Sequence, residues 1–526
     1  MTVALAALIA IAVCAAARLI PGLVWPRHAM DGGYHMLLRR EIRRNGFRMP
    51  PRVAAMALDE RQTYPWWYHS FLALLPESWL RRIPPLPSTL IDAAHTAIVV
   101  LLAARLAPYA GPTVDPALAG LVAGVLFATS PALLVVGIGP RAYEITPRPL
   151  GELCYTALMA TGAAYAMGGS PWYVAAAAVA GAALLMSSKF AAQVLVLCAP
   201  AVALAAGSWM PVLLVPLSLL ACFVLTGGRY WWVLLGQVRH LDIFRRRLQH
   251  EHAILRDRNR WRALARALVA VIRSPGRRAE RIELMRLAEH NTVLQFLLRN
   301  VLWLAVFALM VAGVFGPWAG EGEGWRGWLI GWAAAPLVPF VLSSMRAFRF
   351  LGEAERYPEY AVAPVAALFA LGALALPAPA GAVLIGAYVV SLVPPAAYSF
   401  ARQRWNAART NGGVDALVGF LGTQPAGTVV LPVPWFAAYV LAPELDHRFL
   451  AGNDTIVWHR DYDRIFTHYP WPTPDLGYWR GRQAELMLVE WKLLATDRTA
   501  PAYPVDALPV IYADDRFRIY RLGSSS

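Results

Sequence analysis

The sequence predicts a mainly α-helical, polytopic membrane protein of about eleven transmembrane helices, with amphipathic interfacial helices and a small C-terminal soluble α/β part. Three observations carry this. Of 526 residues, 58% are hydrophobic and only 15% charged, with a mean hydropathy of +0.45, whereas soluble domains carry about 25% charged residues. Apolar runs of about 20 residues, the length that crosses a bilayer core, recur along the chain. From 401 onward the pattern changes to short β-prone runs between turn residues.

Spans are read at 2–24, 86–107, 117–138, 150–168, 172–187, 190–207, 210–227, 293–315, 326–344, 360–376 and 380–400. The uncharged runs 153–188, 190–228 and 360–401 are too long for one crossing. Gly168-Gly169-Ser170-Pro171, Ser208 to Pro211 and Pro377-Ala378-Pro379 supply the breaks. No Lys or Arg precedes the first run and no small-residue cleavage site follows it, so it reads as an uncleaved span. Asp92 and His95 are polar intrusions near the end of the second. The 25–85 loop holds an Arg-studded amphipathic stretch within His28 to Gly46, then Tyr64-Pro65-Trp66-Trp67-Tyr68-His69. The 228–292 segment mixes Tyr230-Trp231-Trp232 with Arg245-Arg246-Arg247, the pattern of helices lying flat in the headgroup zone. In 401–526, Gly427 to Leu431 and Glu485 to Glu490 read as strands, and Val510 to Tyr520 as a hairpin around Asp514-Asp515. The domain reading is therefore 1–400 for the membrane part and 401–526 for the soluble part. Crossing at every span gathers 25–85, 139–149, 187–189, 228–292, 345–359 and 401–526 on one face.

All but Lys189 and Lys492 of the 48 basic residues are arginine, and the formal net charge is +15. Arginine beside a bilayer binds phosphate bidentately, so anionic membrane lipids and lipid-phosphate substrates are the expected partners. No basic and aromatic nucleic-acid module occurs, so nucleic acid is not among them. Cys14, Cys154, Cys198 and Cys222 lie in or beside apolar runs without paired spacing, which supports neither a disulfide framework nor a zinc site.

Three polar stretches could carry chemistry. Asp31 stands where the chain leaves the first span, placed to take a proton from an acceptor hydroxyl or amine. The plainer reading is a helix N-cap, with Gly32 and Gly33 marking a turn. His35 follows one turn later. The second stretch, from Arg141 through Tyr143 and Glu144 to Arg148 and Glu152, puts charges on a short loop between spans, which is expensive unless they line a cavity or bind a ligand. A solvated turn is its alternative. Lys189, between two spans, is either a phosphate contact or a snorkelling anchor. In the third stretch, Arg346, Arg349 and Arg356 suit the negative charge that builds on a leaving phosphate. Alternatively Glu353, Glu355 and Arg356 pair with one another on a surface loop.

Asp31 with Tyr34-His35 and the helix ending in Asn45-Gly46, Tyr64-Pro65 with His69, Thr146-Pro147-Arg148-Pro149-Leu150-Gly151, Ser188-Lys189-Phe190 and Glu355-Arg356-Tyr357 follow in this order over about the first 400 residues. Together they resemble the membrane glycosyltransferases of the GT-C fold. That superfamily includes protein O-mannosyltransferases, aminoarabinose transferases and oligosaccharyltransferase catalytic subunits. The resemblance implies inverting transfer of a sugar from a polyprenyl-phosphate donor to a glycan, lipid or protein acceptor. It implies Asp31 as the base, and Lys189, Arg346, Arg349 and Arg356 as donor-phosphate ligands. His35, Tyr64, Trp67, His69, Arg141, Tyr143, Glu144, Arg148, Glu355 and Tyr357 would then form the substrate cavity. Asp31 has no second acid beside it, and no Trp-Trp-Asp motif occurs, which disfavours protein N-glycosylation. The resemblance leaves a divalent metal, magnesium or manganese, open: Asp31 and Glu144 could share one, although members using a monophosphate donor generally do without it.

Positive-inside counting puts the arginine-rich loops in the cytoplasm, whereas the resemblance puts them outside. That rule weakens for loops of about 60 residues or more, which favours an active face outside the cytoplasm of a bacterial inner membrane. Two other readings compete. One is a transporter or flippase for a lipid-linked glycan, with Asp31 coupling protons, although the repeated halves of many transporters are not visible. The other is a catalytically silent scaffold of an envelope-assembly complex.

Overall fold

The apolar runs fold as helices. The structure, a computed structural model, describes residues 1–526 except 26–29, 135–143, 252–254, 256–257, 317, 319, 411–412, 453–457, 498–499 and 524–526, and gives the backbone alone at 30–31 and 405–410. Among the described residues seven helices are long and apolar enough to cross a membrane: Val3–Val24, Leu86–Ala110, Pro116–Leu134, Lys189–Ala206, Gly322–Ser344, Ala354–Ala375 and Ala378–Arg404. They make the chain an integral membrane protein.

The remaining four of the eleven expected spans do not meet that standard. The 293–315 run is broken, with Thr292–Arg299 and Val301–Val311 meeting at 79°. Trp172–Leu185 and Met210–Leu225 have 14 and 16 residues, or about 21 and 24 Å of helix, against a hydrocarbon core of about 30 Å. The Arg148–Ala166 helix carries Arg148 and Glu152 in its first turns. Among the described residues there are therefore seven such helices, or eight if the bent pair counts as one span. Composition measures how apolar a run is and misses where the helix within it stops.

Leu86–Ala110, Pro116–Thr129 and Val362–Ala375 pack in the centre of the membrane part, and Val362 to Ala373 are buried on every side. A helix apolar all round belongs in such a position. Asp92 lies in the second turn of Leu86–Ala110, and its charge is met by Arg18 of the first helix at 2.7 Å, both side chains fully buried. Arg18 also donates to the Ala128 carbonyl at 2.8 Å. The ion pair fixes the rotation of the first helix against the second.

The C-terminal part holds a five-stranded sheet of β1 (Val429–Val433), β2 (Arg448–Phe449), β3 (Leu486–Glu490), β4 (Val510–Ala513) and β5 (Phe517–Arg521), in the order β2-β1-β3-β5-β4. β1 is parallel to β2 and β3, while β5 is antiparallel to β3 and β4. Side chains alternate between two faces with the period of two that a strand imposes. Val430, Leu486, Leu488 and Ile519 face a core shared with Tyr34, Leu37, Leu38 and Ile42 of the Met30–Arg44 helix. Val429, Leu431, Met487 and Val489 face Ile465, Trp471 and Trp479 on the other side. The 25–85 loop adds to the sheet edge, since Phe449 N–H donates to Ala55 and Ala57 N–H donates to Phe449, both at 2.8 Å. In the β4–β5 turn, Asp514 Oδ1 accepts from the N–H groups of Arg516 and Phe517 at 2.7 and 2.6 Å.

Candidate functional site

After the first helix the chain begins the Met30–Arg44 helix, of which Asp31 is the second residue; the Asp31 side chain lies outside the described residues. The Gly32 amide donates to Glu144 Oε1 at 3.0 Å. A Cβ on Gly32 would stand 2.9 Å from Glu144 Cγ, and one on Gly33 would stand 2.0 Å from the Tyr439 carbonyl oxygen. The glycine pair thus lies inside the helix and marks no turn. It bares the helix surface so that Glu144 approaches one side and the C-terminal part the other.

One turn on, His35 Nδ1 and His69 Nε2 are 2.9 Å apart. Burial lowers the pKa of His35 from 6.5 to about 3 and that of His69 well below its ordinary value. Both rings are neutral at pH 7, one donating N–H to the other. His35 therefore offers a hydrogen bond and no charge.

A cavity of about 350 Å³ opens where the polar stretches meet. Tyr34, His35 and Tyr64 come from the 25–85 loop, Glu144 and Arg148 from the second stretch, and Ser188, Lys189, Phe190 and Gln193 from the start of the Lys189–Ala206 helix. Ser188 caps that helix by accepting from Ala191 N–H at 3.2 Å, which places Lys189 at its first position. Glu353, Arg356, Glu359 and Tyr360 come from the third stretch. Arg148 pairs with Glu359 at 3.4 Å and Arg356 with Glu353 at 2.5 Å, and the Arg356 guanidinium sits 4.6 Å over the Phe190 ring. Among the described residues the charged lining is thus matched, three cations to three acids.

The third stretch divides between two places. Arg346–Leu351 is a 3₁₀-helix, in which residues i and i+3 eclipse. Arg346 and Arg349 therefore share one face, which lines a second cleft of about 540 Å³, while Phe350 and Leu351 line the first cavity. The structure does not place Arg346 and Arg349 with Lys189 and Arg356, as a single donor-phosphate set requires. Glu355 approaches Arg258 at 3.8 Å, both buried, so of the three residues expected to pair among themselves only Glu353 and Arg356 do. Tyr357 is buried, with its hydroxyl 2.7 Å from Gln193 Oε1 and 2.9 Å from the Leu351 carbonyl, and so supports the cavity wall from behind. Trp67, whose N–H donates to Met186 at 3.2 Å, and His69 also stand behind the lining. Arg141 and Tyr143 lie outside the described residues. Among the described residues no group of three or more His, Cys, Asp or Glu gathers to hold a metal ion.

Sequence reasoning missed the far wall. Trp435, Tyr439, Tyr462, Phe466 and Tyr469 line the cavity from the C-terminal part. Trp435 follows the carboxyl end of β1, the edge of a parallel sheet at which ligands bind. The available signal was aromatic residues among prolines, Pro434-Trp435-Phe436 and Tyr469-Pro470-Trp471, just after or between the strands. Gln193, His240 and Glu359 were missed as well.

No family model matches the chain, and neither does any curated protein sequence. Solved structures do match. The apo oligosaccharyltransferase of Archaeoglobus fulgidus superposes with a TM-score of 0.58 over 93% of this chain and 70% of that one, at 12% identity. The chain has the GT-C fold. The same archaeal protein tethered to an acceptor peptide containing the NVT sequon gives a TM-score of 0.54 at 11% identity, over 93% and 69% of the two chains. Apo ArnT from Cupriavidus metallidurans aligns over 98% of both chains at 14% identity, with a TM-score of 0.45. In this chain the cavity lies between the membrane helices and the C-terminal sheet.

Proposed function

We propose that this chain is a membrane glycosyltransferase that moves a sugar from a polyprenyl-phosphate donor to a glycan, lipid or protein acceptor at the outer membrane face, with inversion. The observation that carries the reading is the single cavity onto which Arg148, Lys189 and Arg356, the acids paired to two of them, and an aromatic wall converge. The acceptor hydroxyl or amine attacks the anomeric carbon as the bond from that carbon to the phosphate oxygen breaks. The electron pair leaves on the phosphate and the acceptor's proton passes to Asp31. Lys189, Arg148 and Arg356 offset the charge developing on the phosphate. Glu144 anchors the start of the helix that bears Asp31. Tyr34, Tyr64, Trp435 and Tyr439 present apolar rings with polar tips, a surface suited to a sugar.

The test is transfer from polyprenyl-phosphate sugars by the purified chain in nanodiscs, guided by mass spectrometry of glycolipids and surface glycans from cells with and without the gene. Asp31→Asn, with folding retained, is expected to abolish transfer. Normal turnover by that variant removes Asp31 as the base.

A further inference from the structure

The second cleft stands apart from the machinery proposed above. Arg258, Arg260, Arg346, Arg349 and His250 line it together with two side-chain amides. Its frame is rigid: the fully buried Arg258 donates from Nη1 to the Ser343 and Gly352 carbonyls, both at 2.9 Å. Arg349 Nη2 donates to the Arg258 carbonyl at 3.1 Å. Asn259 holds the same corner, its Nδ2 donating to Ser344 at 3.2 Å and its Oδ1 accepting from Thr292 N–H at 2.9 Å. Arginines clustered on a held backbone suit a phosphate, which takes two N–H donors from each guanidinium.

A helix that carries its apolar side outward begins at the rim of this cleft. Trp261–Arg273 directly follows Arg260, and none of its residues is buried. Trp261, Leu268 and Ile272 are exposed by 49%, 49% and 70%. At 100° per residue, positions 261, 265, 268 and 272 form one apolar stripe, while Arg262, Arg266 and Arg273 cluster about a third of a turn away. An apolar stripe flanked by arginines is the form of a helix lying in the headgroup layer. It sets the adjoining cleft at headgroup depth.

We infer that the cleft of Arg258, Arg260, Arg346 and Arg349, with the Trp261–Arg273 helix, is a docking site for an anionic phospholipid of the surrounding bilayer, separate from the sugar-transfer cavity. Charge selects the occupant: the helix stripe takes acyl chains, and Arg260, Arg346 and Arg349, over the buried Arg258 whose charge faces Glu355, take a phosphodiester unshielded by a headgroup cation.

Native mass spectrometry of the full chain, titrated with phosphatidylglycerol or phosphatidylcholine, tests this without any activity readout. Phosphatidylglycerol adducts are expected on the wild type. They should weaken about 10- to 30-fold in R346Q/R349Q, from two arginine contacts near the surface, and by less in R346K/R349K, which keeps both charges but loses the bidentate forks. Equal phosphatidylglycerol binding by R346Q/R349Q, or equal binding of phosphatidylcholine by the wild type, overturns the site. Displacement of the lipid by millimolar inorganic phosphate makes it a free-anion site and overturns the lipid assignment. A second measurement needs no variant: hydrogen exchange in Trp261–Arg273 should slow at least threefold in phosphatidylglycerol nanodiscs relative to phosphatidylcholine nanodiscs, and equal exchange overturns the docking.

Discussion

Replacing Gly33 with alanine tests how the membrane and C-terminal parts are joined. The new Cβ would lie 2.0 Å from the Tyr439 carbonyl oxygen, 2.9 Å from its carbon and 3.3 Å from Val440 Cα. All three are backbone atoms, so no side chain can swing aside. Real Cβ contacts essentially never fall below 3.0 Å, so the Met30–Arg44 helix and the Ala437–Leu441 helix must separate by about 1 Å, and such overpacking costs about 1–3 kcal/mol. Against this, alanine gains about 0.5–1 kcal/mol over glycine inside a helix. The overlap wins by about 0.5–2 kcal/mol, which raises opening of this interface about 2- to 30-fold. Hydrogen exchange of peptides covering 30–44 and 437–441 should accelerate by that factor. Gly419→Ala is the control, because nothing lies within 4 Å of its Cβ position, and its exchange should hold or slow. Unchanged exchange in Gly33→Ala would refute the claim that the bare glycine surface sets this contact.

Asp92→Ala leaves Arg18 buried without its partner and should cost about 3–5 kcal/mol, seen as a collapse in the monodisperse yield after detergent extraction; Arg18→Leu with Asp92→Leu should recover much of it. The His35 pKa falls from 6.5 to about 3 on burial, so the unfolded chain binds a proton that the folded one does not across that window. Stability is full above about pH 6.5 and declines as pH falls toward 3. Thermal melts of His35→Gln should show a shallower acid loss than the wild type, and identical pH profiles would contradict this. Lys189→Met should lower kcat for sugar transfer about 100-fold or more, the scale of losing a group that meets charge developing in the transition state.

The membrane character, the three polar stretches and four of the five strand sites were legible because each is a local pattern, whereas the two-residue β2 is too short to leave one. The β4–β5 hairpin lies within a residue or so of the Val510 to Tyr520 reading. Two kinds of information were not local. Arg18 was averaged away inside an apolar run, so the partner of Asp92 went unread although both residues stood in plain view. Trp435 and Tyr439 reach the cavity only because β1 is parallel to its neighbours and its carboxyl end points there. The division of the third stretch needed the fold as well, since Arg346 and Arg349 meet Arg258, far back in the chain, in the second cleft.

The shared wall also bears on biogenesis. A ribosome delivers the membrane helices and their polar loops first, and the rings at 435–469 emerge only after more than four hundred residues have already been made. Until the strands assemble and the Ala437–Leu441 helix leans on Gly33, the pocket stands open along one flank, so the nascent protein carries its cationic groups well before its aromatic wall closes over them.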